Sequence, residues 1–220
     1  MLGYAERQAH WNWCREFIDR EVIYRADDTH PPIPGKGGGT YVWQFYLRRA
    51  TYNPEFAFRL GLLFWGHFLP VYRQQPFQVC ACEPSGPPIG ATIQDTATRL
   101  GLPLNVFYAR REPKHFGLDN WFDGRIGNLP VLLVDDIAAS SPFMLLASAR
   151  IQSKLRIPLH RNYFAIVNKV GRGVNKANQH TENYLDGELV TLFNVNNFCP
   201  TSRRFLDKYG HPPRWSGIIR

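Results

Sequence analysis

Several things are missing from this chain, and each absence removes a class of function. No apolar run in its 220 residues approaches the length of a membrane-spanning helix. The start, MLGYAERQAH, lacks the basic-then-apolar order of a secretory leader, so none is expected. Cysteine is scarce and unpatterned: Cys14, Cys80, Cys82 and Cys199 form no CxxC, and Cys80 and Cys82 sit inside an apolar run. Reduced, buried thiols in a cytoplasmic protein are the expectation. The seven histidines form no HxxxH and no His/Cys group, so no zinc site built by the protein is expected. No GxxxxGK[ST] occurs either, which weakens any Walker-type reading of an acidic strand end.

What the chain does have is apolar and basic. It is 44% hydrophobic and 14% aromatic, ample for one sizeable core and modest for two. With 26 Lys and Arg against 18 Asp and Glu, the net charge is +8. That suggests an anionic partner: nucleic acid, a phosphorylated small molecule or a membrane surface. The basic residues are spread out rather than gathered into arms, so charge alone does not choose among these.

The punctuation divides the chain. HPPIPGKGGGT (30–40) separates an N-terminal amphipathic helix, marked by Cys14, Phe17, Ile18 and Val22, from the rest of the chain. TYVWQFYLRRA (40–50) alternates like a strand or hairpin arm. NPEFAFRLGLLFWGHF then reads as a helix, with Asn53 as N-cap, Pro54 at the first helical position and Glu55 at the positive end of the dipole. Further on, FQVCAC (77–82), LNVFYA (104–109), PVLLV (130–134) and NYFAIV (162–167) read as buried strands, and GELVTLFNV (187–195) could add another. Between them, EPSGPP (83–88) reads as a turn, and IGATIQDTATRL (89–100) as a helix stopped by Gly101. SPFMLLASARIQSKL (141–155) reads as a second helix. Apolar strands alternating with helices predict an α/β fold with a doubly wound, mostly parallel sheet. A small N-terminal helix and strand subdomain is expected to pack on it. We expect one domain, with a hood over 1–65, a core over 66–170 and a C-terminal strand with a basic tail over 171–220.

Ligands of such sheets bind beyond the carboxyl ends of the strands. Three segments fall there: EPSGPPIG, the stretch 110–129, and DDIAASSPF. The middle one shows no periodicity over about twenty residues, a length that usually marks function. Arg110, Arg111 and Lys114 make it a plausible lid over an anion. In VLLVDDIAASSPF (131–143), Asp135 and Asp136 follow a strand too apolar to leave them buried and unpaired. Ser141 as N-cap and Pro142 as first helical residue would aim free N–H groups beside them. Carboxylates for hydroxyls next to amides for a phosphate suit a phosphorylated ribose.

The segment resembles the phosphoribosyl-pyrophosphate (PRPP) signature of the type I phosphoribosyltransferases: an apolar strand, two acids and a small hydroxyl-rich turn. ARREPKHFG (109–117) is similar to the mobile catalytic loop of orotate phosphoribosyltransferases, and FQVCACEPSGPPIGA to their pyrophosphate strand and loop. QFYLRRATYNPEFAFRLG is like their early strand and helix, so the resemblance covers residues 37 to about 170. It implies transfer of ribose 5-phosphate from PRPP to a nucleobase, orotate most readily, with release of pyrophosphate. It implies Lys114, Arg111 and Asp136 as catalytic residues. PRPP would be bound by Asp135, Asp136, Ala139, Ser140, Ser141, Phe143, Arg110, Arg111 and Lys114, and the base by Lys36, Phe45, Tyr46 and Lys169. Mg²⁺ would be held mainly through PRPP, and a homodimer would share loops between sites. No membrane or nucleic-acid partner is implied.

This chain departs from the pattern at Ser141, where glycine is usual, and at Phe143, where a hydroxyl is usual. It departs again at Phe116, in the loop's histidine position, and at Asn168-Lys169, where Asp-Arg is usual. A protein that keeps the fold and binds PRPP or a nucleotide without turnover is therefore the alternative.

Overall fold

Alternating burial builds the sheet. A computed structural model describes residues 3–27, 29–34, 40–41, 43–113, 120–138, 142–169, 187–198 and 218–219. The N-terminal part runs through α1 (Tyr4–Phe17), a π-helical turn (Ile18–Val22), β1 (Ile23–Arg25), β2 (Ile33–Pro34), β3 (Thr40–Tyr41), β4 (Trp43–Phe45), α2 (Leu47–Thr51) and α3 (Pro54–Gln74). Then come β5 (Gln78–Cys82), α4 (Gly86–Arg99), β6 (Val106–Ala109), β7 (Phe122–Gly124), β8 (Val131–Ala138) and α5 (Pro142–Arg150). The C-terminal part has a π-helical turn (Ile151–Leu155), β9 (Asn162–Asn168), β10 (Glu188–Asn194), a 3₁₀ turn (Val195–Asn197) and β11 (Ile218–Ile219).

The main sheet has six strands in the order β10-β9-β8-β5-β6-β7. All its pairings are parallel except that of β7 with β6. Along β5, Val79 and Ala81 join one apolar cluster and Cys80 and Cys82 the other; Leu132 and Val134 of β8 divide from Val131 and Leu133 in the same way. This is the period of two expected when both faces are covered. The first face carries α1, α3 and α4, with Phe64, Phe68 and Phe164 packed together. The second carries α5, through Met144 and Ala147, and the π-helical turn after it, through Ile151.

Local signals set the helix ends. Asn53 caps α3, accepting from the Phe56 N–H at 2.9 Å. α4 ends as a Schellman motif: Gly101 takes φ +68°, its N–H reaches Thr98 O, and the Leu102 N–H reaches Ala97 O. α3 and α4 meet at Gly61, where an added Cβ would lie 2.0 Å from Thr96 Oγ1.

Four sequence expectations need correction. Of the described residues in 40–50, Thr40–Tyr41 and Trp43–Phe45 are extended, and Leu47–Thr51 is helical, since Leu47 and Ala50 bury themselves at helical spacing. EPSGPP is not all turn: α4 begins at Gly86, three residues before the expected start, because prolines suit a first helical turn. The stretch 110–129 contains β7, whose Phe122 is buried against Phe107. The third strand continues past 134 to Ala138, so the aspartates lie within it. Among the described residues, no helix is long and apolar enough to cross a membrane.

Candidate active site

The chain leaves β5 toward β6 on one side, then returns to place β8 on the other side of β5. The carboxyl ends of β5 and β8 therefore form the topological switch point. β8 pairs with β5 only as far as Val134↔Ala81, yet with β9 as far as Ala138↔Asn168. Among the described residues, the other edge of β8 has no strand partner from Asp135 to Ala138, and we read that edge as one wall of a crevice.

The start of α4 closes the crevice from the side. At Gly86 an added Cβ would lie 3.0 Å from the Ala81 carbonyl carbon and 3.1 Å from Val134 O. Only glycine lets the helix start so close to the two strand ends. Pro87 and Pro88 carry no N–H, so Gly86 and Ile89 supply the amides of this first turn.

Asp135 and Asp136 are half-buried, and the Asp136 N–H donates to Asp135 Oδ1 at 2.8 Å. Burial pushes the Asp135 carboxyl well above the usual carboxylate range, and the neighbouring Asp136 charge adds to this. The Arg111 guanidinium opposes the rise, so it lies near the same carboxyl. Arg111 is exposed, 5.6 Å from the Phe143 ring centroid, and makes no ion pair among the described residues. Arg110 is already engaged: its guanidinium pairs with Asp123 and its N–H donates to Trp121 O at 2.9 Å.

On the far side of β8, the Lys169 N–H donates to Ala138 O at 2.8 Å and its Nζ stands 4.7 Å over the Trp43 ring. Burial lowers the Lys169 pKa. The Trp43 indole N–H is buried with no hydrogen-bond partner, an unmet donor beside that ammonium. Phe45 is core, packed edge-on to Trp43 and Phe198, whereas Tyr46 is 38% exposed with Arg49 over its ring. Phe143 is buried in the second apolar cluster. Lys36, Lys114, Ala139, Ser140 and Ser141 lie outside the described residues, as does Phe116.

The fold thus gathers Asp135, Asp136, Arg111 and Lys169 around the carboxyl ends of β8 and β9. It adds residues that local sequence pattern does not single out. Gly86 is visible there only as one glycine of a turn. Trp43 looks like any strand aromatic. Arg150 carries one signal: it lies seven residues, two helical turns, after Phe143.

No family profile and no curated protein matches the chain by sequence. Solved structures do. The orotate phosphoribosyltransferase of Mycobacterium tuberculosis, in complex with Fe(III) dicitrate, superposes with a TM-score of 0.64 at 15% identity, over 86% of this chain and 98% of that one. The fold is that of the type I phosphoribosyltransferases. The same mycobacterial protein in complex with PRPP matches at a TM-score of 0.57 and 14% identity, over 90% of this chain and 93% of that one. The Trypanosoma brucei adenine phosphoribosyltransferase, with AMP, pyrophosphate and ribose 5-phosphate, matches at 0.56 and 18%, over 91% and 85%. Orotate and adenine enzymes both match, so this phosphoribosyltransferase fold leaves the base open.

Proposed function

We propose that the protein is a phosphoribosyltransferase, moving ribose 5-phosphate from PRPP to a ring nitrogen of a nucleobase, orotate-type in the first instance. The observation that carries this is the unpaired Asp135–Ala138 edge of β8, with two carboxylates on it, at the switch point under the start of α4. In the reaction the C1–O bond breaks with its electron pair leaving on pyrophosphate, a C1–N bond forms, and the proton of the ring nitrogen is released to solvent or to the leaving pyrophosphate. Positive charge develops on the ribose and negative charge on the leaving group. Preorganised charges of opposite sign are what such a transition state requires.

Asp135 and Asp136 would accept hydrogen bonds from the vicinal ribose hydroxyls and face the developing positive charge. Arg111, with Arg110 and Lys114, would meet the pyrophosphate. Ala139, Ser140 and Ser141 would offer amides to the 5-phosphate. Lys169 and Tyr46, with Lys36 and Phe45, would border the base. A divalent ion fits this donor set as a substrate-borne group. Two carboxylates supply part of a shell, and no group of three or more His, Cys, Asp or Glu suited to a metal occurs among the described residues. When bound, magnesium would supply charge neutralisation on the leaving group. Shared loops would make the working unit a homodimer.

A second reading is favoured by two features. Pro87 and Pro88 thin the donors at α4, and Phe143 is buried where a phosphate-binding hydroxyl is usual. It is a protein that holds PRPP or a nucleotide without turnover. Calorimetric titration of Mg-PRPP, with Asp136→Asn beside it, tests both readings: binding lost in the variant supports a ribose-phosphate site. Pyrophosphate release across a nucleobase panel, above a Lys114→Ala control, then selects the enzyme. Binding without release selects the second reading, and no binding sinks both.

A further inference from the structure

Helix α5 holds Arg111 at two points. Phe143, in its first turn, stands under the Arg111 guanidinium at 5.6 Å, and Arg150, its last residue, sits seven positions later on the same face. Arg150 Nη1 donates to the carbonyl oxygens of Arg110 at 2.8 Å and Arg111 at 3.3 Å. The Arg150 guanidinium lies 3.6 Å from the centroid of the Trp121 ring, and the Lys154 ammonium 5.7 Å from it. Trp121 closes the circuit, because its own carbonyl accepts the Arg110 N–H. Three separate pieces of chain meet here: the end of β6, the residue before β7, and the end of α5.

The proposed site relies on the Arg111 side chain, which makes no ion pair among the described residues. An exposed arginine is free among many rotamers, and ordering it on binding costs conformational entropy. Here the two carbonyls flanking the Arg111 peptide are fixed by one planar cation, itself stacked on an indole. A lysine could supply the charge but not the fork and the stack together.

We propose that Arg150, held by Trp121, is a positioning residue for anion capture: it acts through the main chain of Arg110 and Arg111 to aim the Arg111 guanidinium at the pyrophosphate portion of the substrate. This rests on the reading of Arg111 as a pyrophosphate contact. Arg150 touches no substrate itself.

A double-mutant cycle separates this role from a merely structural one, because it asks whether the effect of Arg150 passes through Arg111. Mg-PRPP is titrated calorimetrically into the full-length wild type, Arg150→Met, Arg111→Met and the double variant. The expected result is an affinity loss of about tenfold for Arg150→Met, with the double variant no weaker than Arg111→Met alone. Arg150→Lys should fall between wild type and Arg150→Met. Should Arg150→Met fail to fold, Trp121→Leu takes its place in the cycle, with a smaller loss likewise absorbed by Arg111→Met. Additive losses, or a lowered Tm with unchanged affinity, would overturn the proposal while leaving the phosphoribosyltransferase reading intact. No binding by the wild type would overturn both.

Discussion

The Asp136 N–H donates to the Oδ1 of Asp135 at 2.8 Å, so the two acids of the crevice are tied through backbone and side chain. That single bond does not offset the burial of Asp135 or the charge of Asp136, and the Asp135 carboxyl stays well above its usual range. A carboxyl raised in the folded state favours folding only while protonated. That contribution is complete below the unfolded value near ~3.9 and is lost as pH rises through the folded value. Asp135→Asn is therefore expected to raise Tm at pH 8, with the gain gone at pH 3, while Mg-PRPP binding disappears. Thermal melts across pH with matched calorimetry check this. A lower Tm for the variant at pH 8 would mean that the surroundings stabilise the charge.

Gly86→Ala tests the closure of the crevice. Its Cβ would press on the Ala81 and Val134 backbone, which cannot swing aside as a side chain could. Overpacking of this kind costs about 1–3 kcal/mol, several degrees of Tm at this chain length, and it should also weaken Mg-PRPP binding. Unchanged affinity alongside lower stability would detach the start of α4 from the ligand.

Asn53→Ala offers the opposite pattern. Losing the side-chain acceptor for the Phe56 N–H should cost about 0.5–2 kcal/mol. The cap lies at the start of α3, and the carboxyl ends of β5 and β8 owe it no hydrogen bond. Denaturant titration should show the loss, and PRPP affinity should stay within twofold of wild type.

The cysteines give a chemical check on the core. Burial pushes the Cys14 thiol up to about 12, and raises Cys80 and Cys82 as well. Since the thiolate is the reactive form, a thiol reagent at pH 8 should label at most one of the four cysteines, Cys199, in the native protein. All four should label in guanidinium. Rapid reaction of two or more without denaturant would contradict the packing of Cys14 on α1 or of Cys80 and Cys82 on the α5 face of β5.

Much of the architecture could be read from local pattern, because each signal acts over a few residues. Asn53-Pro54 marked a helix start and Gly101 a helix stop through capping, which involves only neighbouring N–H and C=O groups. The apolar runs at 77–82 and 162–167 read as buried strands, and β5 and β9 are found there. The errors fell where a long-range partner decides. Leu47 and Ala50 are helical because the core takes them at that spacing, and Phe122 is extended because β6 offers an edge.

The site divides along the same line. From sequence alone came the α/β class, the adjacent acids after an apolar strand, and a basic loop before it. Composition and periodicity carry such features without any knowledge of what lies across the sheet. Only the tertiary structure decided that β8 outruns β5 by the residues bearing those acids, because strand order is a matter of pairing between distant segments. It alone brought Trp43 to Lys169 and Arg150 to the carbonyls of Arg110 and Arg111, separations of 126 and about 40 residues. Contacts of that span leave no periodic trace in a single sequence, since they rest on packing and not on the local backbone.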